Sequence, residues 1–150
     1  LGKRGEFWVV AQAAILALIV FAPMIGEAWP LPALFQIPGW LLIAIGVPLS
    51  LWSAMNLGRS LTPFPRPLPD GRLVSEGAYR FVRHPIYLGV LLCSFGYALA
   101  TLSPLRLALS VVLFIFFDMK SRREEKWLAQ QYPEYVAYKT RVRKLLPWIY

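Results

Sequence analysis

The stretch "YRFVRHPIYLGVLLCSFGYALATLSPLR", Tyr79 to Arg106, decides how the fold is read. It opens on a polar cluster, Arg80, Arg83 and His84, and then runs without a charge from Pro85 to Ser103, 19 residues. A helix needs about 20 apolar residues to cross the hydrocarbon core of a bilayer. Pro85 suits the first helical turn, where its missing N–H is no loss. Ser103 and Pro104 read as an N-cap followed by a first helical residue, so "ATLSP" is the tight turn of a helical hairpin. A shorter apolar run, Pro104 to Phe117, follows, with Arg106 near its start.

The same pattern recurs upstream. Phe7 to Ile25 and Pro38 to Leu57 are both free of charge. The sequence therefore predicts an all-α integral membrane fold with four transmembrane helices, at about 7–25, 38–57, 85–103 and 104–120. One domain, 1–150, holds them all, with a loop at 58–84 and a helical tail at 121–150. The first run is too long for a signal peptide and lacks its cleavage site. Composition agrees: 57% of residues are hydrophobic and only 16% charged, below the usual share of a soluble domain. The net charge of +8 does not indicate a nucleic-acid binder, because the apolar runs dictate where the charges lie. Of the 16 Lys and Arg residues, all but Arg106 fall before the first run, between the second and third, or after the fourth. The positive-inside rule then puts both termini, the loop and the tail in the cytoplasm. The single cysteine, Cys93, excludes an internal disulfide, and no metal-ligand pattern or Gly-rich phosphate loop is present.

The polar complexity lies in two segments. Asn56 to Tyr87 is rich in Pro and Gly and too long for an idle connection. Its aromatic residues argue for order. In the tail, Asp118 to Gln131 continues the fourth helix, and Lys120, Glu124 and Leu128 recur at four-residue spacing on one face. Tyr135 and Tyr138 suggest a further short helix ended by Pro147. The fourth span has about 15 residues before Asp118, or about 22 Å of helix, short of the ~30 Å core. Ionisable groups at such depth normally face a bundle interior or a wet cavity. With the last two spans a hairpin, their polar ends meet, and a pocket lined by Arg83, His84, Tyr87, Lys120 and Glu124 is expected.

"LVSEGAYRFVRHPIYLG" followed by "EEKWLAQQYPEYVAYKTRV" resembles the isoprenylcysteine carboxyl methyltransferase family and its relative, phospholipid methyltransferase. The resemblance runs from about Asn56 to Pro147. It implies an integral-membrane enzyme using S-adenosylmethionine (SAM), with a lipophilic acceptor reaching it through the bilayer. Carried over by position, it puts cofactor contacts on Gly71, Arg72, Leu73, Val74, Tyr79, His84, Tyr87 and Glu124. Arg83, Pro85 and Glu125 adjoin them as further candidates. The family's substrate-facing arginine, one turn before the glutamate, is Lys120 here. Lys120, Arg123 and Glu124 are thus the candidate catalytic residues. Charge-assisted hydrogen bonds suit the cofactor's charged end: Arg83 and His84 for its carboxylate, Glu124 or Glu125 for its ammonium. Methyl transfer is an in-line displacement that gains from positioning and dryness, so no metal or side-chain nucleophile is needed. A carboxylate acceptor needs a cation such as Arg123 or Lys120; an amine acceptor needs a base, Glu124 or Glu125.

Plainer roles compete for the same residues. Arg83-His84-Pro85 also suits an interfacial anchor. Glu124 and Glu125 also suit a solvated face, and Tyr132, Tyr135 and Tyr138 an aromatic belt. Arg141, Arg143 and Lys144 read as contacts to anionic lipid. Gly89, Gly96 and Ala100 read as close helix packing. At the level of function, an NADPH-dependent membrane reductase of the sterol-reductase type, or a non-catalytic membrane scaffold, is the alternative. Acceptor identity and oligomeric state are not legible in the sequence.

Overall fold

The computed structural model describes residues 5–23, 29–147 and 149–150. These fold as α1 (Glu6–Phe21), α2 (Pro32–Leu57), α3 (Pro85–Ala100), α4 (Pro104–Gln131) and α5 (Tyr135–Arg141). Short 3-10 turns stand at Gly58–Ser60 and Gly77–Arg80. The end of the expected first span, the loop that follows it and the basic pair Lys3–Arg4 fall partly or wholly outside the described residues.

The helices start where proline permits. Pro32, Pro85 and Pro104 each occupy the first turn of their helix. Ser103 caps α4, its hydroxyl accepting from the Arg106 N–H at 3.3 Å. The second span was expected from Pro38, but α2 begins at Pro32 and carries Pro38 and Pro48 inside it. Interior proline is tolerated in apolar helices whose neighbours re-satisfy the freed backbone groups. At about 1.5 Å per residue, α2 is about 39 Å long, more than a bilayer core. Among the described residues, α2 with its 3-10 extension is the one helix long and apolar enough to cross a membrane by itself. Both α1 and α3 are apolar but shorter, at 16 residues each.

Packing is tightest between α2 and α3, which run antiparallel along a seam of small residues. A Cβ on Gly39 would fall 2.6 Å from the Ala100 nitrogen, and one on Gly46 2.6 Å from the Gly89 carbonyl. No side chain fits at either point, so the two backbones touch, as small residues allow in membrane helices. Between α3 and α4, Ser94 and Ser110 share a buried 2.6 Å hydrogen bond. Below it, Leu91, Leu113 and Phe117 form a core with Ile19 of α1. The outward faces stay apolar: Val10, Phe21, Leu51 and Met55 are more than half exposed. Apolar surface of that extent marks an interaction face, here one suited to lipid.

Arg106, expected merely at a turn, is 5% exposed. Its guanidinium donates to the carbonyls of Ile19 and Ala22 at 3.1 and 2.9 Å, and stacks on the Tyr97 ring. It thereby satisfies carbonyls left over at the end of α1. The tail also differs from expectation. The short helix α5 stops at Arg141, before Pro147, because the next residues turn extended and join the segment ahead of α3. There the N–H groups of Arg83 and His84 donate to the carbonyls of Arg143 and Lys144 at 2.8 and 3.1 Å. Lys144, read from sequence as a lipid contact, is buried against the Asp118 carboxylate. A lysine with a carboxylate in reach gains more from that pair than from a lipid surface.

Candidate active site

The long loop is ordered by a few polar contacts. Asn56, at the end of α2, accepts from the Ala78 N–H at 2.9 Å. Gly77 has φ +60, and a Cβ there would strike the Asn56 side chain. Only glycine meets both demands at low cost. The Ser60 hydroxyl holds Arg72 through its N–H and carbonyl at 3.0 and 3.3 Å. The loop is thus bound to the end of α2 and lies over the start of α3.

Beneath it is a cavity of about 350 Å³, within the range of small-molecule sites. Its walls come from all parts of the chain. The loop contributes Gly71, Arg72, Leu73, Val74 and Tyr79. The start of α3 supplies His84 and Tyr87, and α4 supplies Lys120, Glu124 and Leu128. The tail closes it with Tyr132, Tyr135 and Tyr138. A Cβ on Gly71 would stand 3.0 Å from the Tyr132 hydroxyl, so glycine preserves room there. Tyr138 donates to the Tyr79 carbonyl at 2.6 Å, tying tail to loop. The Tyr135 hydroxyl is buried with no hydrogen-bond partner among the described residues. An orphaned polar group on a cavity wall calls for a ligand or water to satisfy it.

The adjacent glutamates part company. Glu125 is 4% exposed and turned away from the cavity. It receives Arg83 at 2.9 Å, His84 Nε2 at 3.2 Å and Lys139 at 2.8 Å. Burial alone would raise its pKa, but the hydrogen bonds from His84 and Lys139 and the Arg83 charge outweigh it. Its carboxyl is held well below the usual carboxylate range. Glu124 lies on the cavity wall and accepts from the Tyr87 hydroxyl at 2.8 Å. The His84, Tyr87 and Phe117 rings stack in a near-parallel column, with centroids 5.3 and 4.4 Å apart. Burial pushes the pKa of Tyr79 and Tyr138 up, so both stay protonated at neutral pH.

Of the residues singled out from sequence, Gly71, Arg72, Leu73, Val74, Tyr79, Arg83, His84, Tyr87, Lys120 and Glu124 line this one cavity. Three do not. Pro85 is buried as the start of α3. Glu125 sits behind the wall, and Arg123 is exposed, its guanidinium 4.9 Å from the Trp127 ring. Successive helical residues lie about 100° apart, so Arg123, Glu124 and Glu125 cannot share a face. Arg83 reaches the wall, but its guanidinium is taken by Glu125 and by the Lys139 and Val142 carbonyls. Most of its donors are thus committed to Glu125 and to the tail. Sequence reading missed Gln12 of α1, which also lines the cavity. The signal was present: Gln12 is the one polar side chain between Phe7 and Ile25.

Comparison with known proteins accounts for the shared wall. The family model described as phospholipid methyltransferase matches residues 34–135, spanning α2, the loop, α3 and α4. The chain belongs to this family. It is 32% identical over 145 residues to protein-S-isoprenylcysteine O-methyltransferase B of Arabidopsis thaliana, covering 94% of this chain and 72% of that one. Protein-S-isoprenylcysteine O-methyltransferase of Saccharomyces cerevisiae is 40% identical over 82 residues, covering 53% of this chain and 34% of its own. A probable protein-S-isoprenylcysteine O-methyltransferase of Oryza sativa subsp. indica is 32% identical over 115 residues, covering 74% and 60%. The chain thus spans about a third of the yeast relative and most of the plant one. The matched residues include those of the loop, α3 and α4 that line the cavity.

Proposed function

We propose that this protein is a SAM-dependent methyltransferase acting on a lipophilic acceptor, with a prenylcysteine-type carboxylate the preferred class. The observation carrying this reading is that the motif residues of the loop, α3 and α4 converge on one cavity, with Glu124 the one carboxylate on its wall among the described residues. The wall suits such a cofactor. Leu73, Val74 and the tyrosines offer apolar and aromatic surface for an adenine. Glu124 would hold the ammonium; His84 and the orphaned Tyr135 hydroxyl would meet the carboxylate. When bound, SAM supplies a methyl group on a sulfonium, and its transfer to an acceptor oxygen leaves a neutral thioether.

The remaining work falls to this chain's residues. Glu124 is oriented by the Tyr87 hydroxyl. His84 is fixed by Glu125 on one side and by the Tyr87 ring on the other. The tail is pinned to the loop by the Tyr138 hydroxyl on the Tyr79 carbonyl. Such fixed positioning is what an in-line displacement rewards. Lys120, a buried cation on the wall, would orient an acceptor carboxylate.

The proposal includes the setting. The four long helices traverse the bilayer, both termini face the cytoplasm, SAM enters from that side, and the acceptor arrives laterally. The charge asymmetry of the loops and the apolar outer faces support it. Single cysteines at positions 26 and 150 should label from opposite sides of the membrane; labelling from one side would refute the topology. For the activity, purified protein in detergent receives SAM with a labelled methyl group and an S-prenylated cysteine analogue or a lipid extract. A labelled methyl ester supports the reading. Binding of NADPH without SAM or its product S-adenosylhomocysteine (SAH) would overturn it.

A further inference from the structure

Away from the cavity, the tail gathers a second set of cations. Val82 and Arg143 pair as an isolated parallel bridge. Arg80 and Arg141 each stand two residues ahead of that bridge, no more than about 7 Å of backbone away. Three arginines therefore come together where the tail crosses the segment before α3, and all three are exposed. Arg141 donates to the Ala137 carbonyl of its own helix at 3.3 Å. Among the described residues none of the three has a carboxylate within ion-pair distance. The nearby acids are already engaged. Asp118 holds Lys144, the Tyr150 hydroxyl and Arg122, and Glu125 holds Arg83, His84 and Lys139.

Exposed arginines on a wholly polar surface would simply be hydrated. These are interleaved with exposed apolar side chains: Phe81 follows Arg80, and Leu146 and Ile149 follow Arg143. The N–H groups of Leu145 and Leu146 both donate to the Tyr150 carbonyl at 2.7 Å, so the chain folds back there. Lys144 and Tyr150 then fasten this fold to Asp118 of α4. Asp118 stands about 21 Å along α4 from Pro104, short of the ~30 Å hydrocarbon core. On α4 itself, exposed Ile115 and Met119 give way to exposed Arg122 at helical spacing. The apolar-to-basic change on α4 and the mixed face of the tail thus meet at one level.

We propose that Arg80, Phe81, Arg141, Arg143, Leu146 and Ile149 form a docking surface for anionic phospholipid of the cytoplasmic leaflet. This rests on the membrane setting proposed above and names the lipid that it recognises. The guanidinium groups meet headgroup phosphates through charge-assisted hydrogen bonds. The apolar side chains enter the boundary between headgroups and acyl chains. Clustered cations beside a span attract an anionic leaflet over a neutral one.

The test uses the full chain in an uncharged detergent. Phosphatidylglycerol and phosphatidylcholine with the same acyl chains are the two probes, and binding is read by native mass spectrometry and by the rise in Tm. Wild type should bind the glycerol lipid at least tenfold more tightly, and the preference should shrink as salt screens the charges. Arg141→Gln/Arg143→Gln should bring the two lipids within about threefold and leave the Tm in detergent alone unchanged. Arg123→Gln/Lys126→Gln removes the same charge further along α4 and should keep the wild-type preference. Equal binding of the two lipids by wild type would overturn the proposal. So would equal losses in the two double variants, which would mean that net charge alone attracts the lipid. A polyglutamate peptide that displaced the anionic lipid at equal concentration would also overturn it, by making the face a site for an acidic protein segment. Labelling of positions 26 and 150 from one side would refute the membrane setting instead, whatever the lipid preference in detergent.

Discussion

Two regions of this molecule handle buried charge in opposite ways. Behind the cavity wall, Glu125 is enclosed by Arg83, His84 and Lys139, and every charge there has a partner. On the cavity side, Glu124 accepts from the Tyr87 hydroxyl and stands 3.8 Å from His84 Nδ1, and Lys120 has a neutral amide and a carbonyl. The first arrangement is complete and has nothing left to bind with. The second has fewer direct partners and stands on the cavity wall. Adjacent residues of one helix thus face an enclosed ion-pair cluster and the cavity in turn, because about 100° of helical rotation separates them.

The largest effect expected from breaking this contrast is at Glu125. Glu125→Ala strands Arg83 without its carboxylate, and such a loss costs about 3–5 kcal/mol. Thermal unfolding in detergent should show a large fall in Tm. Next is Glu124→Gln, which should weaken SAH binding by about 1.5–3 kcal/mol, the scale of a charged hydrogen bond, with little change in Tm. His84→Ala lies between the two regions, since His84 touches Glu125 and lines the cavity. It should lower SAH affinity and Tm together.

Acid provides a subtler probe of the enclosed region. The folded-state pKa of Glu125 lies below that of the unfolded chain, near 4.3 for glutamate. Its contribution to stability is therefore complete above that value and is lost as pH falls from there toward the folded-state pKa. The Tm difference between wild type and Glu125→Gln should stay constant above about pH 5 and narrow as the solution is acidified. A gap that widened in acid would contradict the sign. Smallest of all is Arg123→Ala. The exposed guanidinium stacks on Trp127 and touches no cavity atom, so Tm and SAH affinity should change by no more than about 0.5 kcal/mol.

Much of this was legible before the fold. Pro85 and Ser103-Pro104 mark helix starts through local chemistry, and both hold. Lys120, Glu124 and Leu128 share a face by spacing alone, and they share the cavity. Other features depend on partners remote in sequence. Nothing local to Arg83 says that its guanidinium will be taken by Glu125 and by carbonyls of the tail. Nothing local to Lys144 says that Asp118 lies opposite it. Gln12 shows a third case: its oddity was visible in an apolar run, but its meaning waited on α1 packing against α4. Periodicity reports which side of a helix faces inward; it does not report which inward groups are already satisfied.

The central claim is that Glu124 faces a cofactor while Glu125 supports the fold. The most direct test is SAH titration by calorimetry, with Tm measured on the same samples, for wild type, Glu124→Gln and Glu125→Gln. The account predicts that Glu124→Gln loses about tenfold or more in SAH affinity and keeps its Tm. Glu125→Gln should lose Tm and, where it stays folded, bind SAH far better than Glu124→Gln does. Equal, small effects at both positions, or a loss of SAH binding at Glu125 alone, would contradict it.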